Sequence, residues 1–272
     1  MKSNPTTEHT SLLHNEQPSH SVPDVHAISK TQVIPRSPLF VCCCCTDKLD
    51  LTVTEYSKYT ELKTQCTVAY DKDNEAHTTE LNKLFDTAYT IYNKAHSTES
   101  ESDFTYKTLG FQTATNPHTD FRNGGFISLL IMSHYVNAHE DEFKETFQFK
   151  YFAFAITCIN VVNDVKTFLR LITNDEIRQI EEHKVSNTVM CNRRQIKCFL
   201  RALTENDALF YDVVCIALTQ VIKAFKRNYS EHKKEQNYFM INELIKQSVR
   251  NISDALLTCS TADELITSLK KK

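Results

Sequence analysis

Arg122 lies in "LGFQTATNPHTDFRNGG", residues 109–125, a stretch that also holds the chain's only glycines, Gly110, Gly124 and Gly125, and Pro117, the only proline after Pro38. Asn116-Pro117 and Thr119-Asp120 are turn and cap chemistry, Phe121 is a large apolar anchor, and Asn123 leads into the glycine pair. Gly124 and Gly125 allow backbone angles that other residues avoid, or the close approach of another surface. A planar, always charged guanidinium on a loop clamped at both ends suits a phosphate. Spacing alone leaves two readings of Arg122: a fork presented outward to a phosphate, or a partner for Asp120 or a helix end that holds the loop.

Other reactive side chains are spaced wrongly for chemistry. His134 and His139 are five positions apart, about 140° around a helix, so they do not share a face as a zinc-binding i, i+4 pair would. Surface histidines are expected. Cys191 and Cys198 would share a helix face, but two turns put about 10 Å between them, too far for one ion. Core or boundary thiols are expected. G-x-S-x-G, G-x-x-x-x-G-K and G-x-G-x-x-G are all missing, so hydrolase, NTPase and dinucleotide-binding chemistry lack their local signatures. No metal and no cofactor is expected.

The elements that must position Arg122 read as helices. The chain is 41% hydrophobic and 24% charged, with three glycines and six prolines, and it lacks the repeated short Val/Ile runs of a parallel sheet. So few turn residues disfavour antiparallel sheet, and an all-α, bundle-like domain follows. Leu81, Leu84, Phe85, Ala88, Tyr92 and Ala95 step by three and four, which predicts a helix over about 75–96, closed by the acidic "HSTESESD" loop. Residues 126–136 are apolar on nearly every side and 147–172 broadly so, and these two should form the centre. The charge-free part of the second, 151–163, has 13 residues, against roughly 20 to span a bilayer. Stripes at Ile196–Leu203, Phe210–Phe225 and Tyr238–Leu256 predict amphipathic helices around that centre. "TADELITSLKKK" closes the chain with acids early and lysines late, the order a helix dipole prefers.

A net charge of -3, from 31 basic and 34 acidic residues, gives no electrostatic footprint for nucleic acid. Residues 223–234 and Lys270, Lys271 and Lys272 are locally basic, as solvated helix ends or, secondly, as a membrane or partner contact. No apolar run follows the first lysine, and Lys2 excludes N-myristoylation. A cytoplasmic, reducing setting is therefore expected, with ten free cysteines and unused sequons at Asn228 and Asn251. Residues 1–48 hold five of the six prolines and isolated apolar residues, and read as a disordered tail, with 49–272 as one domain. The tail ends in Cys42, Cys43, Cys44 and Cys45, neighbours that point apart rather than converging on zinc. Reversible S-palmitoylation beside Leu39, Phe40 and Val41 would hold the chain at the periphery of a membrane. An unmodified thiol run is the other reading.

Leu109, Gly110, Phe111 and Gln112, followed by Pro117, Thr119, Asp120, Phe121, Arg122 and Gly125, resemble the signature of the ELMO (engulfment and cell motility) domain. Downstream, "YFAFAITCINVV", residues 151–162, resembles a second family segment through Phe154, Ala155, Ile159 and Asn160. The resemblance covers about residues 75–255 and implies an all-helical domain. From the activating members it implies stimulation of GTP hydrolysis on GTP-bound Arf or Arl small GTPases, with Arg122 entering the partner's nucleotide site. A guanidinium supplied in trans is worth about 10³ to 10⁵ in rate. Gln112 and Asp120 would shape the loop, together with Pro117, Phe121, Asn123, Gly124 and Gly125, which form it or meet the partner, and Asn160 would tie its backbone. Magnesium and the attacking water would belong to the GTPase. Three departures stand out: Thr113 replaces a glycine, one extra residue precedes Pro117, and Asn123 replaces another glycine. In loop length the chain is similar to the scaffold branch, whose members partner DOCK-type exchange factors and generally lack the arginine. The alternative is therefore a non-catalytic adaptor for a small GTPase or such an exchange factor.

Overall fold

The computed structural model describes residues 51–96, 104–183, 189–231 and 238–272. The expected tail over 1–48, with Cys42, Cys43, Cys44 and Cys45, lies outside them. Among the described residues the chain forms α1 (Val53–Thr67), α2 (Glu75–His96), a 3-10 turn (Pro117–Arg122), α3 (Phe126–Ala138), α4 (Glu140–Thr146), α5 (Phe154–Phe168), α6 (Asn174–His183), α7 (Arg193–Glu205), α8 (Leu209–Glu231), α9 (Tyr238–Thr258) and α10 (Ala262–Lys270), with no strand. The fold is all-α.

Side chains start several helices by satisfying first-turn N–H groups that have no partner within the helix. Thr52 and Glu55 form a capping box on α1, as do Asn192 and Gln195 on α7, and the Thr261 hydroxyl accepts from Glu264 N–H on α10. Each such cap contributes about 1 kcal/mol.

α3 and α5 occupy the centre. Leu129, Ile131, Met132, Tyr135 and Val136 on α3, and Ala155, Cys158, Val161, Val162, Val165 and Phe168 on α5, are fully enclosed. α3 packs against α2, α5 and α8, while α5 packs against α3, α8 and α9. α2 turns Leu81, Leu84, Ala88 and Ile91 inward, whereas Phe85 and Tyr92 are half-buried in an aromatic cluster with Phe104, 5.1 Å from each. The Tyr135 hydroxyl meets the Thr219 hydroxyl at 3.0 Å. Burial raises the Tyr135 pKa well above that of an ordinary phenol.

The apolar run over 147–172 differs from its expected form. It is not one helix: α4 stops at Thr146, residues 147–153 turn, and α5 starts only at Phe154. Hydrophobicity cannot locate this break, because Phe149 and Phe152 in the turn are as buried as a helical core residue. α1 has a weak apolar stripe, and α4 and α6 are short, with 7 and 10 residues, so none of the three was legible as a separate helix.

Candidate functional site

Two carbonyl groups from the 109–125 segment close the start of α5. Ala155 N–H donates to Leu109 O at 3.1 Å, and Ile156 N–H to Gly110 O at 3.3 Å. These are first-turn donors of the kind that need an outside acceptor. Gly110 has φ +96°, and a Cβ there would run into the backbone of Ala153 and Phe154. The two sequence segments that carry the family resemblance are thus hydrogen-bonded to each other.

Gln112 N–H donates to Asp120 Oδ2 at 2.8 Å, which pinches the chain shut around residues 113–119. Pro117 is buried at the first position of the 3-10 turn, where its missing N–H costs nothing. The Phe121 ring, 1% exposed, stacks on Tyr70 at 4.8 Å and leans on Phe111 at 5.6 Å. On the far side, Gly125 N–H donates to Phe121 O at 2.8 Å and Phe126 N–H to Val68 O at 2.9 Å. Gly125 has φ +69° and ψ -170°, a region essentially reserved for glycine. A Cβ on it would meet the Val68 carbonyl, and one on Gly124 would meet the Ser128 side chain and the Ile159 methyl.

Arg122 ends the 3-10 turn and is exposed, as are Gln112 and Asn123, whereas Pro117, Asp120, Phe121, Gly124 and Gly125 are buried. Among the described residues the Arg122 guanidinium makes no hydrogen bond and no ion pair. Asp120 instead accepts from Gln112 N–H, leaving Asp120 Oδ1 and the Ser128 hydroxyl without a partner among the described residues. An unpaired fork thus stands on a base fixed by a buried ring and by hydrogen bonds on both flanks.

Lys166 is a further member of the site. Its ammonium, 5% exposed within α5, donates to Gly124 O at 3.2 Å, two residues past Arg122. The available signal was a lysine within a broadly apolar helix, which sequence reasoning passed over. Half-buried Asn160 lies on the same helix. Burial lowers the Lys166 pKa, against smaller opposing effects of Cys66 and Glu176, and burial pushes the Cys66 thiol up to about 12.

A lowered lysine pKa means that the unfolded chain holds the proton more tightly, so Lys166 favours folding increasingly as pH rises through its depressed value toward the ordinary 10.5. Wild type should therefore gain stability relative to Lys166→Met over that alkaline window, as read from denaturant midpoints of the two proteins at matched pH. A constant difference would place the ammonium in an environment like water.

The histidines and cysteines fall differently from one another. His134 is exposed and meets Tyr211 edge-on at 5.7 Å, whereas His139 is half-buried and stacks on Tyr135 at 4.7 Å, so only the first is a surface histidine. Cys191 precedes α7 and is buried, while Cys198 is half-buried on α7, so they share no helix face because α7 starts only after the Asn192 cap. Among the described residues no group of three His, Cys, Asp or Glu side chains is placed to hold a metal ion. No single described helix is long and apolar enough to cross a membrane.

The sequence profile of the ELMO/CED-12 family matches residues 60–244, from α1 into α9 and across the whole 109–125 segment. No curated protein and no solved structure matches the chain significantly.

Proposed function

The chain belongs to the ELMO/CED-12 family, a family tied to small-GTPase signalling, and from that premise we propose that it stimulates GTP hydrolysis on an Arf- or Arl-type GTPase. Arg122 is the finger supplied in trans. The observation that carries this reading is an exposed, unpaired guanidinium at the end of a turn whose flanks are buried and hydrogen-bonded.

Docking brings that guanidinium to the phosphoryl oxygens of GTP in the partner, where negative charge builds as the bond to the leaving oxygen lengthens. A fixed cation at that point stabilises the transition state more than the ground state, because it needs no reorganisation when the charge appears. The clamped turn limits the conformational freedom lost on docking. The nucleotide, its magnesium ion and the attacking water all reside in the partner.

A non-catalytic adaptor for a small GTPase or a DOCK-type exchange factor is the second reading. It is favoured by the exposed 113–116 excursion, with Thr113 in place of a glycine and one extra residue before Pro117. GTP hydrolysis by a panel of purified Arf and Arl proteins, measured with and without this chain, separates the two. Acceleration on at least one member is expected. Binding without acceleration across the panel would leave the adaptor.

We further propose a cytoplasmic chain whose Cys42, Cys43, Cys44 and Cys45 carry thioester-linked acyl groups that hold it at the periphery of a membrane. Hydroxylamine-sensitive labelling of the protein taken from cells is the expected result. A sample without label would remove the anchor.

A further inference from the structure

A cleft of about 990 Å³ opens between α4, α8, α9 and α10, and none of its lining residues belongs to the 109–125 segment. Its size is within the range of small-molecule sites. The cleft joins the two basic stretches that stand apart in the sequence: Lys223, Lys226 and Arg227 on α8, and Lys270 with Lys272 at the end of α10. Asp141, Glu142 and Glu145 on α4 line it as well.

The charges are not all balanced within the protein. Lys226 donates to Glu145 at 2.7 Å, and Lys272 lies 3.6 Å from Asp254. Lys223 and Lys270 are exposed and have no partner among the described residues. Their neighbourhood is built rather than accidental. Gln220 Nε2 donates to Leu269 O at 2.7 Å, and its Oε1 accepts from Asn251 Nδ2 at 2.9 Å, tying α8, α9 and α10 together. Lys223 is one turn along α8 from Gln220, and Lys270 follows Leu269, so this bond holds the two lysine-bearing stretches beside each other in the cleft wall.

His139 marks the same convergence. Burial lowers its pKa first, and Lys270 and Lys223 act in the same direction as His134, opposed by Glu142. A ring that senses both lysines lies within reach of the field of both. The cleft therefore offers point cations for phosphate beside carboxylate and imidazole groups suited to hydroxyls.

We propose that this cleft binds a phosphorylated polyol, with its phosphates on Lys223 and Lys270 and its hydroxyl groups on His139 and Glu142. A soluble inositol phosphate and a phosphoinositide headgroup share this chemistry. The site is independent of Arg122, so its failure and that of the GTPase reading are separable.

The test is calorimetric titration of the full chain with inositol trisphosphate, for wild type, Lys223→Gln/Lys270→Gln and the remote control Lys83→Gln. Sedimentation with phosphatidylcholine vesicles carrying either a phosphoinositide or phosphatidylserine at equal surface charge forms the second arm. Both cleft lysines are exposed, so the double variant should melt like wild type. Saturable trisphosphate binding is expected, weakened about tenfold or more in the double variant and unchanged in the control. Added preference for phosphoinositide vesicles identifies the lipid-borne source, and trisphosphate binding without vesicle binding identifies the soluble one. The proposal is overturned if wild type takes up neither probe, if the double variant binds as tightly, or if vesicles do bind and phosphatidylserine ones bind as tightly as phosphoinositide ones.

Discussion

With Arg122 replaced by alanine, stimulated GTP hydrolysis should fall by about 10³-fold or more while binding to the GTP-loaded partner persists. Arg122 is exposed and has no internal partner among the described residues, so its loss should change the chain's own stability by no more than about 0.5 kcal/mol. The defect would then be confined to the chemical step. Arg122→Lys keeps the charge but loses the planar fork, and should recover only part of the rate. Single-turnover hydrolysis beside an equilibrium binding assay reads both quantities. An alanine variant that stimulates like wild type would assign the acceleration to another group.

The second large effect falls on the glycines and concerns stability. Gly110→Ala and Gly125→Ala should each cost roughly 2–5 kcal/mol, combining about 1–2 kcal/mol for a left-handed backbone with about 1–3 kcal/mol for overpacking. At both positions the added carbon meets backbone, which cannot rotate away. Gly124→Ala should cost less, because Gly124 has no left-handed φ and its first obstacle is the Ser128 side chain. At this chain length each kcal/mol lowers Tm by about 2–4 °C, so thermal melts resolve the order Gly110 and Gly125 above Gly124. Equal, mild losses at all three would mean that the segment is free to reshape.

Much of this was legible beforehand for identifiable reasons. The helix over 75–96 and the stripes at 196–203, 210–225 and 238–256 lie on one-sided faces, and a period near 3.6 is visible wherever only one face is buried. Around 147–153 the chain is apolar but not helical, so that signal failed, and what sets the start of α5 is a pair of carbonyl groups about 45 residues upstream. Site residues divided the same way. Arg122, Asp120 and the glycines announce themselves by type, whereas Val68 contributes only its carbonyl oxygen, which leaves no trace in local composition, and Lys166 shows only as a charge within an apolar helix, with nothing to name its contact at Gly124. That Lys223 and Lys270 line one cleft was similarly invisible, since only the packing of α8 on α10 puts them there.

The Gln112 to Asp120 hydrogen bond acts as a neck below residues 113–116, all of them exposed. Insertions or deletions above such a neck leave the folded body undisturbed, because loop-closure entropy grows only slowly with length. Related chains can therefore vary the size of this bleb at little thermodynamic penalty, changing which partner surfaces are tolerated beside the arginine while its mounting stays the same.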